Sequence, residues 1–93
     1  MSEWKDVNQE LPNKNCIVKV LLDCKDQFQE YQIEEECKFD CKKKLFIDNV
    51  LKKAGIGNYD KEHRVEYYTD SPYIDTMVRC YMQIIKWTYK NDR

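Results

Sequence analysis

Two different spacings of apolar residues divide this chain. From Cys16 to Asp23 it reads Cys-Ile-Val-Lys-Val-Leu-Leu-Asp, a short β-rich run after the turn-prone Pro12-Asn13-Lys14-Asn15, and this predicts a strand. Past Asp23-Cys24-Lys25-Asp26, the positions Phe28, Glu30 and Gln32 alternate loosely with Gln29, Tyr31 and Ile33. That suits a second strand folded back as a hairpin, while the Gln and Glu content leaves a helix from Lys25 as the competing assignment. From about Asp40 the period lengthens: Leu45, Phe46, Ile47, Val50, Leu51 and Ala54 recur at three and four residues. This predicts a helix from Asp40, as N-cap, to Ala54, with Lys52 and Lys53 in its last turn and Gly55 at a left-handed C-terminal position.

After a loop containing Gly57 and Asn58, Arg64–Thr69 reads as a third strand ended by Asp70-Ser71-Pro72. Thr76 to Tyr89 reads as a long central strand, with Val78, Cys80, Met82 and Ile84 on one side and Tyr81, Ile85, Trp87 and Tyr89 mostly on the other. The sum is an α+β domain: an antiparallel sheet of about four strands with one main helix packed on one face. Trp4 and Trp87, near the two ends, are expected to tie both ends into one core, with Trp4 covering an end of the sheet and Trp87 closing the core.

Composition narrows the class. With 93 residues there is room for a single domain spanning 1–93. A hydrophobic share of 42% with 13% aromatics excludes a disordered chain. Because 16 basic and 17 acidic residues nearly cancel, no global field draws the molecule to nucleic acid or an anionic membrane. With no apolar run of membrane-spanning length and no secretory layout at the start, the expected location is the cytoplasm, and the five cysteines read as reduced thiols. Cys16, Cys37 and Cys80 are expected as small core residues and Cys24 in a turn.

Candidate chemistry is sparse. Cys37 and Cys41 are four apart, on one face if helical, and could hold zinc with two ligands from Cys24, Cys80 or His63. No second cysteine pair gives that spacing specificity, so a zinc-stabilised module is an alternative and no metal or cofactor is expected. His63, the lone histidine, sits among Lys61, Glu62 and Arg64, where an exposed or hydrogen-bonded structural role outweighs a general base. Glu34, Glu35 and Glu36 with Asp40 cannot all face one cation from a regular element, so they read as a solvated acidic face. Lys42-Lys43-Lys44 reads as solvent-facing as well. With Gly55 and Gly57 alone, no phosphate-cradling loop can form, and catalysis is not expected.

Tyrosine carries more information. Most of the seven tyrosines fall in the second half of the chain, and Tyr67, Tyr68 and Tyr73, with Glu34, Glu35 and Glu36 setting orientation, are the expected protein-binding residues. Arg64, Tyr67, Tyr68, Arg79, Tyr81, Lys86 and Tyr89 on a sheet could instead stack single-stranded nucleic acid. The acidic balance, with Glu62 and Glu66 beside them, weighs against it.

The segment Trp4-Lys5-Asp6-Val7, followed by Leu11-Pro12, the strand Ile17–Leu21 and the closing Ile85-Lys86-Trp87, resembles a family of small bacteriophage and prophage domains of unknown function. The likeness spans about a third of the chain, and the long charged middle departs from the family's pattern. The resemblance implies a phage-type inhibitor or adaptor that binds a host protein or protein complex, with an anti-CRISPR or other anti-defence role as its most concrete form. Homodimerisation stays open on this reading.

Overall fold

A computed structural model describes residues 3–70 and 75–90. The chain forms β1 (Lys5–Asp6), β2 (Cys16–Lys25), β3 (Glu30–Asp40), β4 (Leu45–Ile47), a short helix α1 (Asn49–Lys53), β5 (Arg64–Asp70) and β6 (Met77–Tyr89). All six strands join one antiparallel sheet in the order β1-β6-β2-β3-β4, with β5 also paired to β6. β1 pairs near Trp87, whereas β5 pairs along Met77–Gln83, so the two lie end to end on the flank of β6 away from β2.

The expected α+β architecture is thus overturned in favour of a mostly antiparallel β fold. Lys38–Asp40 and Leu45–Ile47 pair across a tight hairpin, with Lys44 in the left-handed region at φ 58°. Asp40 caps no helix. Its Oδ1 accepts from the backbone N–H groups of Lys42 and Lys43 at 3.0 and 3.1 Å, an Asx-type turn that reverses the chain. Leu45, Phe46 and Ile47 then alternate with period two, Phe46 fully buried and its neighbours half-buried. The three- and four-residue spacing that suggests one long helix is a strand followed by a single helical turn.

That turn is well defined. Asp48, buried, is the true N-cap and accepts from Val50 N–H at 2.9 Å. At the other end Gly55 adopts φ 77°, its N–H bonding Lys52 C=O and the Ile56 N–H bonding Leu51 C=O. This is the paired closure of a Schellman motif, and the expected left-handed role of Gly55 and the basic last turn both hold.

The competing helix after Lys25 does not form. Asp26 Oδ1 accepts from the Phe28 and Gln29 N–H groups, and β3 pairs with β2 over the whole of that strand. The expected strands from Cys16, from Arg64 and up to Tyr89 are present; the turn at Ser71-Pro72 lies outside the described residues.

The faces of β6 correct the simple alternation. Opposite β2, Leu21 pairs with Lys86 but Leu22 with Ile84, leaving Ile85 as an extra residue. Side chains change parity there, so Trp87 and Tyr89 share the inner face with Val78, Cys80, Met82 and Ile84. That face carries Val18, Val20, Leu22, Cys24, Cys37, Phe39, Ile84 and Trp87 in the core. It is covered by Val7, Leu51, Tyr59 and the half-buried Leu11 and Ile56. Trp87 is fully buried, and its Nε1–H donates to Glu10 C=O at 2.8 Å, fastening the N-terminal segment over the sheet. Tyr89 Oη bonds Asn13 Oδ1 at 3.2 Å along the same seam. Trp4 is half-buried.

Candidate functional site

Strand alternation places Arg64, Glu66, Tyr68 and Asp70 of β5 on the outer face of the sheet, beside Met77, Arg79, Tyr81 and Gln83 of β6. Tyr68 (61% exposed), Met77 (52%) and Tyr81 (36%) therefore form a patch on one side of the β5–β6 hairpin. Arg79, opposite Tyr68, lies between these side chains. Its Nε and Nη2 donate to the two carboxylate oxygens of Glu66 at 2.8 and 2.9 Å, and its guanidinium carbon is 5.0 Å from the Tyr81 ring centroid. The hydrogen bond from Arg79 holds the Glu66 carboxyl below the ordinary carboxylate range. Arg64 Nη2 pairs with Glu62 Oε2 through a single contact. The patch is thus a set of large side chains on two paired strands, around an arginine already oriented and neutralised.

The expected binding residues do not converge. Tyr67 is next to Tyr68 and so points to the inner face, half-buried opposite Cys80, where burial raises its hydroxyl pKa. Glu34, Glu35 and Glu36 lie on β3, three strands away and near the other end of the register, roughly 25 Å from Tyr68. Tyr73 lies outside the described residues. By residue type Arg79 and Tyr81 read as part of a nucleic-acid platform, and Met77 carries no binding expectation. The period-two pattern of β6 was the signal that groups Met77 and Tyr81 with Tyr68.

His63 also departs from expectation. It is buried, in the left-handed region at φ 65°, with its ring edge-on to Phe46 at 5.4 Å. Its N–H donates to Asp60 C=O and its C=O accepts from Ile84 N–H, so the backbone secures the middle of β6 beside the start of β5. Nδ1 has no partner, and burial lowers the imidazole pKa against the opposing pull of Asp60. Tyr59 Oη is likewise enclosed without a partner. Both groups are buried.

The cysteines are all free. Cys24, expected in a turn, is instead buried in β2, and Cys37 is buried in β3, where desolvation pushes its thiol up to about 12. Cys16 and Cys80 are half-buried. Cys37 and Cys41 share no helix, and Cys41 N–H donates to Asn15 Oδ1 at 2.7 Å, tying the β3–β4 turn to the segment before β2. Among the described residues no three His, Cys, Asp or Glu side chains are grouped to hold a metal ion. Open grooves of about 470 Å³ beside Val7–Asn13 and about 380 Å³ beside Ile17, Lys38 and Ile47 contain no paired nucleophile and base. Among the described residues no helix is long and apolar enough to cross a membrane.

Compared with known protein families, curated proteins and solved structures, the chain matches none.

Proposed function

We propose that this chain is a protein-binding inhibitor or adaptor whose contact face is the Tyr68, Met77, Arg79 and Tyr81 patch on the outer side of β5–β6. The observation that carries the reading is that three large side chains stand exposed together on a paired hairpin, with an arginine fixed among them. Aromatic, Met and Arg side chains are the types that supply buried anchors in protein interfaces, and a rigid strand pair presents them at low entropic cost. The narrower form, an anti-CRISPR or related anti-defence protein acting on a host complex in the host cytoplasm, is supported by the phage-domain resemblance of Trp4–Pro12 and Ile85–Trp87.

A single-stranded nucleic-acid platform on the same face is less favoured, because the arginines that would meet phosphates are occupied by Glu66 and Glu62. Affinity capture from host cytosol, with the wild-type chain and the Tyr68→Ala/Tyr81→Ala variant in parallel, tests the reading. A protein retained by the first and lost by the second supports it. An identical set of partners in both, or capture only of nucleic acid that is released by moderate salt, removes it.

A further inference from the structure

The sheet ends on one side in an edge that the fold leaves open. β3 pairs with β2 from Glu30 to Phe39, but its other side pairs with β4 only at Lys38–Asp40. Asp48, Asn49 and Val50 line an open groove together with Glu36 and Cys37. From Glu30 to Glu35 the outward backbone groups meet no strand and no other backbone partner among the described residues. Six residues of strand span about 20 Å, the length of an ordinary strand in a sheet.

The side chains along this edge specify what can pair with it. Glu30, Gln32 and Glu34 stand on the outer face. Tyr31, 45% exposed, and Ile33, packed against the core, stand on the inner one beside exposed Glu35. Glu30 pairs with Lys25 at 3.6 Å, while Glu34 and Glu35 have no ion-pair partner among the described residues. A second copy added antiparallel at this edge would bring carboxylates opposite carboxylates, which disfavours self-pairing. β5, an edge on the opposite flank, differs: its Arg64 and Glu66 are already matched by Glu62 and Arg79. Main-chain pairing with charge complementarity therefore selects a basic extended segment at β3 alone.

We propose that the Glu30–Glu35 edge of β3 docks an extended strand of another protein, one that carries Lys or Arg at alternate positions and apolar side chains between them. A basic side chain lies beside Glu34, its apolar ones cover Tyr31 and Ile33, and its backbone continues the sheet. This site uses none of the residues of the Tyr68 patch and stands independently of it.

The test titrates the full chain at physiological salt with a fluorescent decapeptide alternating Lys and Val, and with the same peptide N-methylated at alternate amides. Saturable binding of the first, weakened about tenfold or more by N-methylation and by Glu34→Lys/Glu35→Lys with unchanged melting temperature, is the expected result. Equal binding of both peptides would show charge attraction without strand pairing and overturn the proposal, as would no binding of the Lys-Val peptide. Loss of binding in Tyr68→Ala/Tyr81→Ala with none in the β3 variant would place the contact elsewhere and equally overturn it.

Discussion

The two ends of β6 sit in opposite surroundings. Its last residues, Ile84 to Tyr89, run under the N-terminal segment, with Ile84 and Trp87 fully buried, Glu10 bonded to the indole and Asn13 to Tyr89. Its first residues, Met77 to Tyr81, pair with β5 and keep Met77, Arg79 and Tyr81 exposed on one face, with Cys80 only half-buried on the other. One continuous strand thus links a closed end, where apolar burial supplies most of the stability, to an open end that buries Val78 alone of its first five residues and is otherwise held by backbone pairing and the Arg79–Glu66 contact. A scaffold built this way lets the open end vary its side chains while the core stays intact, which is where a binding face is expected.

The sharpest way to break this comparison is to truncate one ring at each end. Trp87→Ala should cost about 3–5 kcal/mol in a urea melt. Tyr68→Ala should shift stability by less than about 0.5 kcal/mol. Similar losses in both variants would erase the distinction between the ends. Next in size, Tyr68→Ala/Tyr81→Ala should weaken capture of the partner by about 2 kcal/mol or more with an unchanged fold, read by titration calorimetry once the partner is known.

Two smaller effects sharpen the closed end. Gly55→Ala meets no steric obstacle, but it must hold φ 77°, so it should lose about 1 kcal/mol, measured by thermal unfolding. His63 supplies a pH dependence whose sign follows from its burial. Its folded pKa lies below the ordinary 6.5, so the unfolded chain takes up the proton first. The stability contributed by the neutral buried ring is therefore present above about pH 6.5 and lost as pH falls through the lower folded value. Urea midpoints between pH 7.5 and 5.5 should decline, and His63→Asn, which tolerates the left-handed backbone, should flatten that decline.

Much of the strand layout was legible because β-branched and aromatic residues mark it directly: the run from Cys16, the Arg64–Thr69 strand and the long closing strand all stand out by type. The helix was misjudged for a physical reason. Leu45, Phe46 and Ile47 are three consecutive apolar residues, which fit either period, and the decisive signal lay outside them, in the Asp40 turn and the left-handed Lys44. The binding patch was half legible. Tyr68 stood out by residue type, but its separation from Tyr67 depends on opposite strand faces and its distance from Glu34–Glu36 depends on strand order. Neither burial of His63 nor enclosure of Tyr59 could be read locally, since both follow from which segments fold over the sheet.

Ile85 contributes through its place in the count as well as through its side chain. Because it is bulged out of the pairing, Trp87 turns inward to the core; paired regularly opposite Leu21, it would turn the last four residues of β6 to the opposite side, and the indole that fastens the N-terminal segment would face water. Substitutions at this position change one partly buried side chain, and removing the residue would leave Lys86 opposite Leu21 and Trp87 opposite Val20 on a plain strand, whereas drawing Ile85 into the pairing would turn the end of the strand inside out. The same slip governs any comparison of this chain with another: the halves of β6 on either side of Ile85 must be aligned as two separate words, because a gap-free match that is correct for Met77–Ile84 is wrong by one letter for every residue that follows in a chain lacking the bulge.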